Sequence, residues 1–257
     1  MLVSAELAGA LTVQAGSLDA HGHSATTCPA SSASSVPRDC IFDLTLQNGD
    51  HQRVLFATPQ HPRAALVMLP GGAGDVDIEE DGDLRHGYNF VVRTRALWVE
   101  RGYAVLIPDA LDHANLRGER SSPKYAALVE ELVRFVHART SSPVFLLGTS
   151  QGTIAAMNAA AHAEPGAIKG LILTESVSRM GASHETVFSA DPEDIRVPAL
   201  VVANRDDRCN VAPPDDAGRI AAAMKNSPDV RVQVVSGGVT KSQTPCGSLT
   251  PHGYDGI

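Results

Sequence analysis

The sequence predicts an α/β protein, a mostly parallel central sheet with helices on both faces. Two observations predict it. Short, nearly continuous apolar runs occur at 64–70, 103–110, 143–150, 170–176, 198–204 and 231–238, the pattern of strands buried on both faces. Alternating with them are stretches whose apolar residues fall three or four apart, at 90–101, 123–139, 151–163 and 215–226, the pattern of helices that bury one face.

The bulk composition is that of a globular enzyme. The chain has 257 residues, 43% hydrophobic and 19% charged, enough to bury a sizeable core. A formal charge of -8, with no cluster of Lys and Arg, argues against nucleic acid as a partner. No run of 18 or more apolar residues occurs, so no transmembrane helix is expected. The four cysteines, Cys28, Cys40, Cys209 and Cys246, allow three disulfide connectivities, and their sequence-local grouping favours 28 with 40 and 209 with 246. Disulfides persist in oxidising compartments, so a periplasmic or secreted location is expected, with four free thiols in the cytoplasm as the alternative.

Taken in order, residues 1–20 are mildly apolar but lack the basic start and continuous apolar stretch of a signal peptide. Residues 21–39, rich in Ser, Ala, Pro and His, read as an extended arm. Residues 1–39 are therefore expected to be a flexible leader, and 40–257 the folded domain. His21 and His23 have no companion ligands at metal spacing. The body opens with two strands, 40–47 and 52–59, joined by the turn residues Asn48, Gly49 and Asp50. After the run 64–70 comes Pro70-Gly71-Gly72-Ala73-Gly74, a backbone able to approach a ligand closely. The acidic stretch 75–83 has Glu80 where a calcium-binding EF-hand loop needs glycine, and is expected to be a solvated loop beside that glycine-rich turn.

The most specific motif is Gly148-Thr149-Ser150-Gln151-Gly152, which directly follows the apolar run PVFLL and directly precedes the helical run TIAAMNAAAHA. A G-x-S-x-G at a strand-to-helix turn is a nucleophile elbow, its glycines allowing a tight bend that exposes the serine Oγ above the sheet. The helix start also offers the Gln151 N–H to a developing oxyanion. Past the run 198–204 lie Asp206 and Asp207, and past the last predicted strand lies a single histidine, His252.

With the elbow in that context, the chain from about residue 40 onward resembles the α/β-hydrolase family. The family order of Ser, acid, His implies Ser150 as nucleophile, a carboxylate after a later strand, and His252 as base. Family spacing from the end of the acid strand, Asn204, favours Asp207, with Asp206 as alternate. The second oxyanion donor is expected from the glycine-rich turn, Gly72 first and Ala73 next, with Pro70 standing where the family commonly has histidine. About twenty residues separate 176 from 198, too few for the helical cap that some members insert there, so an open site is expected. The connection 74–89 is long for this fold and is expected to form a partial wall. Segments Asn89–Arg95, Asp207-Arg208-Cys209 and His252-Gly253-Tyr254 further resemble a group of small exported bacterial α/β-hydrolases.

The resemblance implies a serine esterase acting through an acyl-enzyme on small or polymeric esters, with no cofactor and no metal. An amidase or peptidase using the same residues is the alternative, and a binding protein that has lost activity is a third reading.

Overall fold

In the computed structural model, the described residues are 25–27, 39–79 and 82–257. Nine strands form one sheet: β1 Ala25–Thr27, β2 Cys40–Thr45, β3 His51–Ala57, β4 Ala64–Leu69, β5 Tyr103–Pro108, β6 Val144–Thr149, β7 Gly170–Thr174, β8 Ala199–Asn204 and β9 Val230–Val235. Their spatial order is β1-β2-β3-β5-β4-β6-β7-β8-β9. β1, β2, β3 and β5 pair antiparallel in succession, and from β5 to β9 all pairings are parallel. The helices are α1 Phe90–Glu100, α2 Pro123–His137, α3 Gly152–Ala161 and α4 Ala217–Ala223.

The side-chain period of two sorts each buried strand between two cores. Leu66, Met68, Val105, Ile107 and Leu147 pack with Val91, Val92 and Val99 of α1 on one face. Val67, Leu69, Leu106 and Leu146 pack with Leu132 and Val136 of α2 and Ile154 of α3 on the other. α2 begins where Ser122 Oγ accepts from the Tyr125 N–H and Pro123 occupies the first turn.

Two expectations meet a different outcome. The run 231–238 was expected to be a strand buried on both faces. β9 is instead the sheet edge, with Val232 43% and Val234 44% exposed, because among the described residues no strand lies beyond it and α4 has only seven residues. The acidic stretch after the glycine-rich turn is not simply solvated. Val76 and Ile78 are buried in the α1-side core, and the buried Asp109 carboxylate accepts from the N–H groups of Val76, Asp77, Ile78 and Ala110. An isolated bridge between Ile78 and Leu84 folds the segment back on itself. Most of the leader lies outside the described residues, but within it β1 pairs with β2, Ala25 opposite Phe42. Between β7 and β8 there are only two one-turn 3-10 helices, Val187–Ser189 and Pro192–Asp194, and no cap domain.

β4 and β6 are neighbours, yet the chain leaves β4 toward α1 on one face and leaves β6 toward α3 on the other. That divergence makes the carboxyl ends of β4 and β6 a topological switch point, where ligands bind in sheets of this kind. Ser150 and the glycine-rich turn lie on its two sides.

Candidate active site

Ser150 follows β6 with φ +50, the left-handed region that a non-glycine residue seldom occupies. The flanking glycines make the bend possible. A Cβ on Gly148 would lie 2.3 Å from the Gly152 carbonyl oxygen, and one on Gly152 would lie 2.1 Å from the Leu69 carbonyl oxygen. The serine N–H donates to Thr174 O at 2.9 Å, tying the elbow to the end of β7.

His252 sits in a one-turn 3-10 helix, Pro251–Gly253, begun by Thr250, whose Oγ1 accepts from the His252 N–H at 3.2 Å. Its Nε2 is 2.8 Å from Ser150 Oγ, and its Nδ1 is 2.7 Å from Asp207 Oδ2. Asp207 follows β8, and its second oxygen accepts from the Cys209 N–H at 2.7 Å. His252 and Asp207 are buried, whereas Ser150 is half-exposed. Three side chains separated by up to 102 positions thus form one hydrogen-bonded line. Asp206 is not part of it, since its carboxylate accepts from the Gly237 N–H.

The other side of Ser150 is formed by the glycine-rich turn. Gly71 packs so tightly against the elbow that a Cβ there would lie 3.0 Å from Thr149 O and 3.1 Å from Ser150 Cβ. Gly72 has φ +63, and the N–H groups of Gly72, Ala73 and Gln151 have no hydrogen-bond acceptor among the described residues. Free N–H groups beside a nucleophile are what stabilisation of an oxyanion requires.

Several supporting residues carry no sequence signal that would have singled them out. Arg93 of α1 donates to the carbonyls of Tyr88, Ser248 and Gly253, the last two in the His252 loop. Burial lowers its pKa, and Asp255 works against that shift. Arg93 lies in the segment Asn89–Arg95 noted above, but nothing in its spacing announces this contact. Asn204 donates to Gly237 O and Pro251 O. The disulfide Cys209–Cys246 joins the Asp207 loop to the segment leading to His252. Cys40 is also disulfide-bonded, and its expected partner, Cys28, lies outside the described residues.

Arg120, 1% exposed, donates to Pro70 O beneath the glycine-rich turn. Glu175, at the end of β7, is buried against Asp207, where burial first and the Asp207 carboxyl next push its pKa up to about 9. Outside this region, Asp75, Asp77 and His113 bring one potential ligand atom each within 4.8 Å. They form a surface ion-pair cluster in which the Asp75 carboxylate raises the His113 pKa.

No family model matches the chain, and no curated protein matches it in sequence. Solved structures do match. An esterase from an Arctic intertidal metagenomic library superposes with TM-score 0.57 at 16% identity, covering 79% of this chain and 86% of that one. Dienelactone hydrolase from Anabaena variabilis superposes with TM-score 0.57 at 12% identity over 83% of this chain and 92% of its own. The fold is the α/β-hydrolase fold. A puromycin-hydrolysing peptidase from Mycobacterium tuberculosis has TM-score 0.60 at 12% identity, with 90% of this chain matching 41% of the larger protein. At these identities what is shared with the α/β-hydrolases is the architecture, and the chemistry must be argued from the side chains. Among the described residues, no helix is long and apolar enough to cross a membrane.

Proposed function

We propose that this α/β-hydrolase-fold chain is a serine hydrolase that cleaves carboxylic esters through an acyl-enzyme. The observation that carries the reading is the continuous line from Ser150 Oγ through His252 to Asp207 at 2.8 and 2.7 Å. His252 Nε2 takes the Ser150 proton as Oγ attacks the ester carbonyl, and Asp207 holds the imidazole and stabilises the imidazolium that forms. The N–H groups of Gly72 and Gln151 receive the oxyanion, with Ala73 as the next donor. His252 then returns the proton to the leaving alcohol, and a water activated by the same histidine releases the acid. No step requires a cofactor or metal.

The absence of a cap between β7 and β8 supports an open site that admits bulky or polymeric esters as well as small ones. The disulfide across the acid and base loops fits an oxidising compartment, periplasmic or extracellular.

The test is hydrolysis of p-nitrophenyl acetate, butyrate and octanoate by wild type and Ser150→Ala, together with fluorophosphonate labelling. Turnover by wild type and a fall of about 10⁴-fold or more in the variant is expected. If wild type neither turns over esters nor takes the label, a binding protein replaces the enzyme reading. Turnover of amide but not ester analogues would move the chain to the peptidase class.

A further inference from the structure

Glu175 is unusual in four respects. It is 1% exposed, it takes φ +48 at the carboxyl end of β7, it belongs to none of the roles assigned above, and it stands directly behind Asp207. Strained backbone at a buried charged residue persists only where the surroundings over-determine it. Here the Glu175 N–H donates to Val202 O, and Oε1 accepts from the Asn204 N–H at 2.7 Å, so the side chain is held by β8, the strand that ends in the Asp207 loop.

The other oxygen, Oε2, is fully buried, yet no N–H or O–H group among the described residues donates to it. What faces the carboxyl group is the Asp207 carboxylate, the His252 ring and the Tyr254 hydroxyl. No cation is among the groups acting on it. Two buried carboxyls with oxygens within 4.8 Å of each other do not both ionise. The proton belongs on the one whose carboxylate form has fewer donors. Asp207 accepts from both the Cys209 N–H and the His252 ring, whereas Glu175 accepts from one backbone N–H, and the Tyr254 hydroxyl, which favours its carboxylate, is outweighed by burial and by Asp207.

We propose that Glu175 is a positioning residue of the hydrolase, a neutral carboxylic acid whose Oε2 proton is donated to the Asp207 carboxylate and so fixes the orientation in which Asp207 meets His252. The proposal rests on the serine-hydrolase reading above. It explains the orphan oxygen, because a proton on Oε2 makes it a donor toward the acceptor it faces. One negative charge, rather than two, then sits behind His252 during acyl transfer. The raised Glu175 pKa of about 9 agrees with a neutral acid at physiological pH, with burial as the main cause and Asp207 the next. The Tyr254 hydroxyl, its own pKa raised chiefly by burial, stays neutral alongside.

The experiment compares wild type with Glu175→Gln and Glu175→Ala. Glutamine keeps the shape and offers an N–H to Asp207, but cannot ionise. Glu175→Gln is expected to retain kcat at neutral pH within about 3-fold, while Glu175→Ala loses about 10- to 100-fold in kcat with KM little changed, because only the transition-state charge arrangement is disturbed. The wild-type pH profile is expected to fall on an alkaline limb near 9 as Glu175 ionises, and that limb should be absent in Glu175→Gln. Infrared difference spectra of wild type against Glu175→Gln should show the carbonyl stretch of a protonated carboxylic acid at neutral pH, a readout independent of folding under turnover.

Loss of activity in Glu175→Gln as deep as in Glu175→Ala, or no loss in Glu175→Ala, would overturn the proposal. So would an infrared spectrum showing only carboxylate. Fluorophosphonate labelling of wild-type Ser150 separates the two readings. If wild type labels and Glu175→Gln fails as above, only the role of Glu175 falls, and if wild type does not label, both fall.

Discussion

The two sides of Ser150 are held by different means. On the Asp207 and His252 side, the two loops are cross-linked by the Cys209–Cys246 disulfide and by Asn204 bridging Gly237 O and Pro251 O, and the Arg93 guanidinium ties the carbonyls of Ser248 and Gly253 to α1. On the glycine-rich side there is no covalent tie. The turn is kept in place by close packing, by the Leu116 N–H donating to Ala73 O at 2.9 Å, and by a single buried cation, Arg120, on Pro70 O. The difference teaches that the side chains which must align through hydrogen bonds are braced redundantly, whereas the backbone N–H groups need only a turn that cannot rotate.

Breaking the braced side should give the largest effect on stability. The disulfide closes a loop with a sequence separation of 37, for which chain entropy gives a stabilisation of about 4 kcal/mol. Cys209→Ser with Cys246→Ser is expected to lower the denaturant midpoint accordingly and to reduce kcat as well. An unchanged midpoint would show that the non-covalent ties suffice.

Arg120→Met tests the other side and should separate activity from stability. Removing the guanidinium costs its hydrogen bond to Pro70 O but also relieves the desolvation of a buried charge, whose pKa is already lowered by burial. Those terms oppose each other, so the stability change is expected to stay under about 2 kcal/mol. The released turn should nonetheless cost about 10-fold in kcat, less than outright loss of an oxyanion donor. Equal losses of stability in this variant and in the disulfide variant would erase the contrast.

The smallest effect should come from the surface cluster beyond the turn. His113 has a raised pKa, chiefly from its hydrogen bond to the Asp75 carboxylate, and Asp75 a lowered one, because burial, which would raise it, is outweighed by hydrogen bonding with His113 foremost and by the Asp77 N–H among others. The raised histidine value means that its contribution is full below 6.5 and is lost as pH rises through the folded value. The lowered aspartate value means that the pair is also lost as pH falls below 3.8 toward the folded Asp75 value. His113→Gln should therefore shift the melting temperature slightly, and only between those limits. His113 is largely exposed, so solvent screens the pair. A shift equally large at alkaline pH would point to packing rather than charge.

Much of this was legible because it depends on local pattern. Apolar periodicity placed β4 to β8 and α1 to α3 within a residue or two, since burial on both faces or on one face leaves a direct trace in residue order. β9 misled for the same reason: Val232, Val234 and Val235 read as a buried strand, but burial at an edge depends on neighbours that the segment does not encode. Ser150 was legible from its glycines. Family spacing favoured Asp207 but left Asp206 open, because both are acids in one loop.

Glu175, Arg93 and Arg120 left no such trace, because each is an ionisable residue drawn out of water by partners 5 to 160 positions away. By itself the sequence determined the alternation of strands and helices, the bend at Ser150 and the chain order of Ser150, Asp207 and His252. Only the tertiary structure decided which carboxylate meets His252, which edge stays open and which charges are buried, because those depend on free energies of desolvation and hydrogen bonding between segments that are distant in the chain.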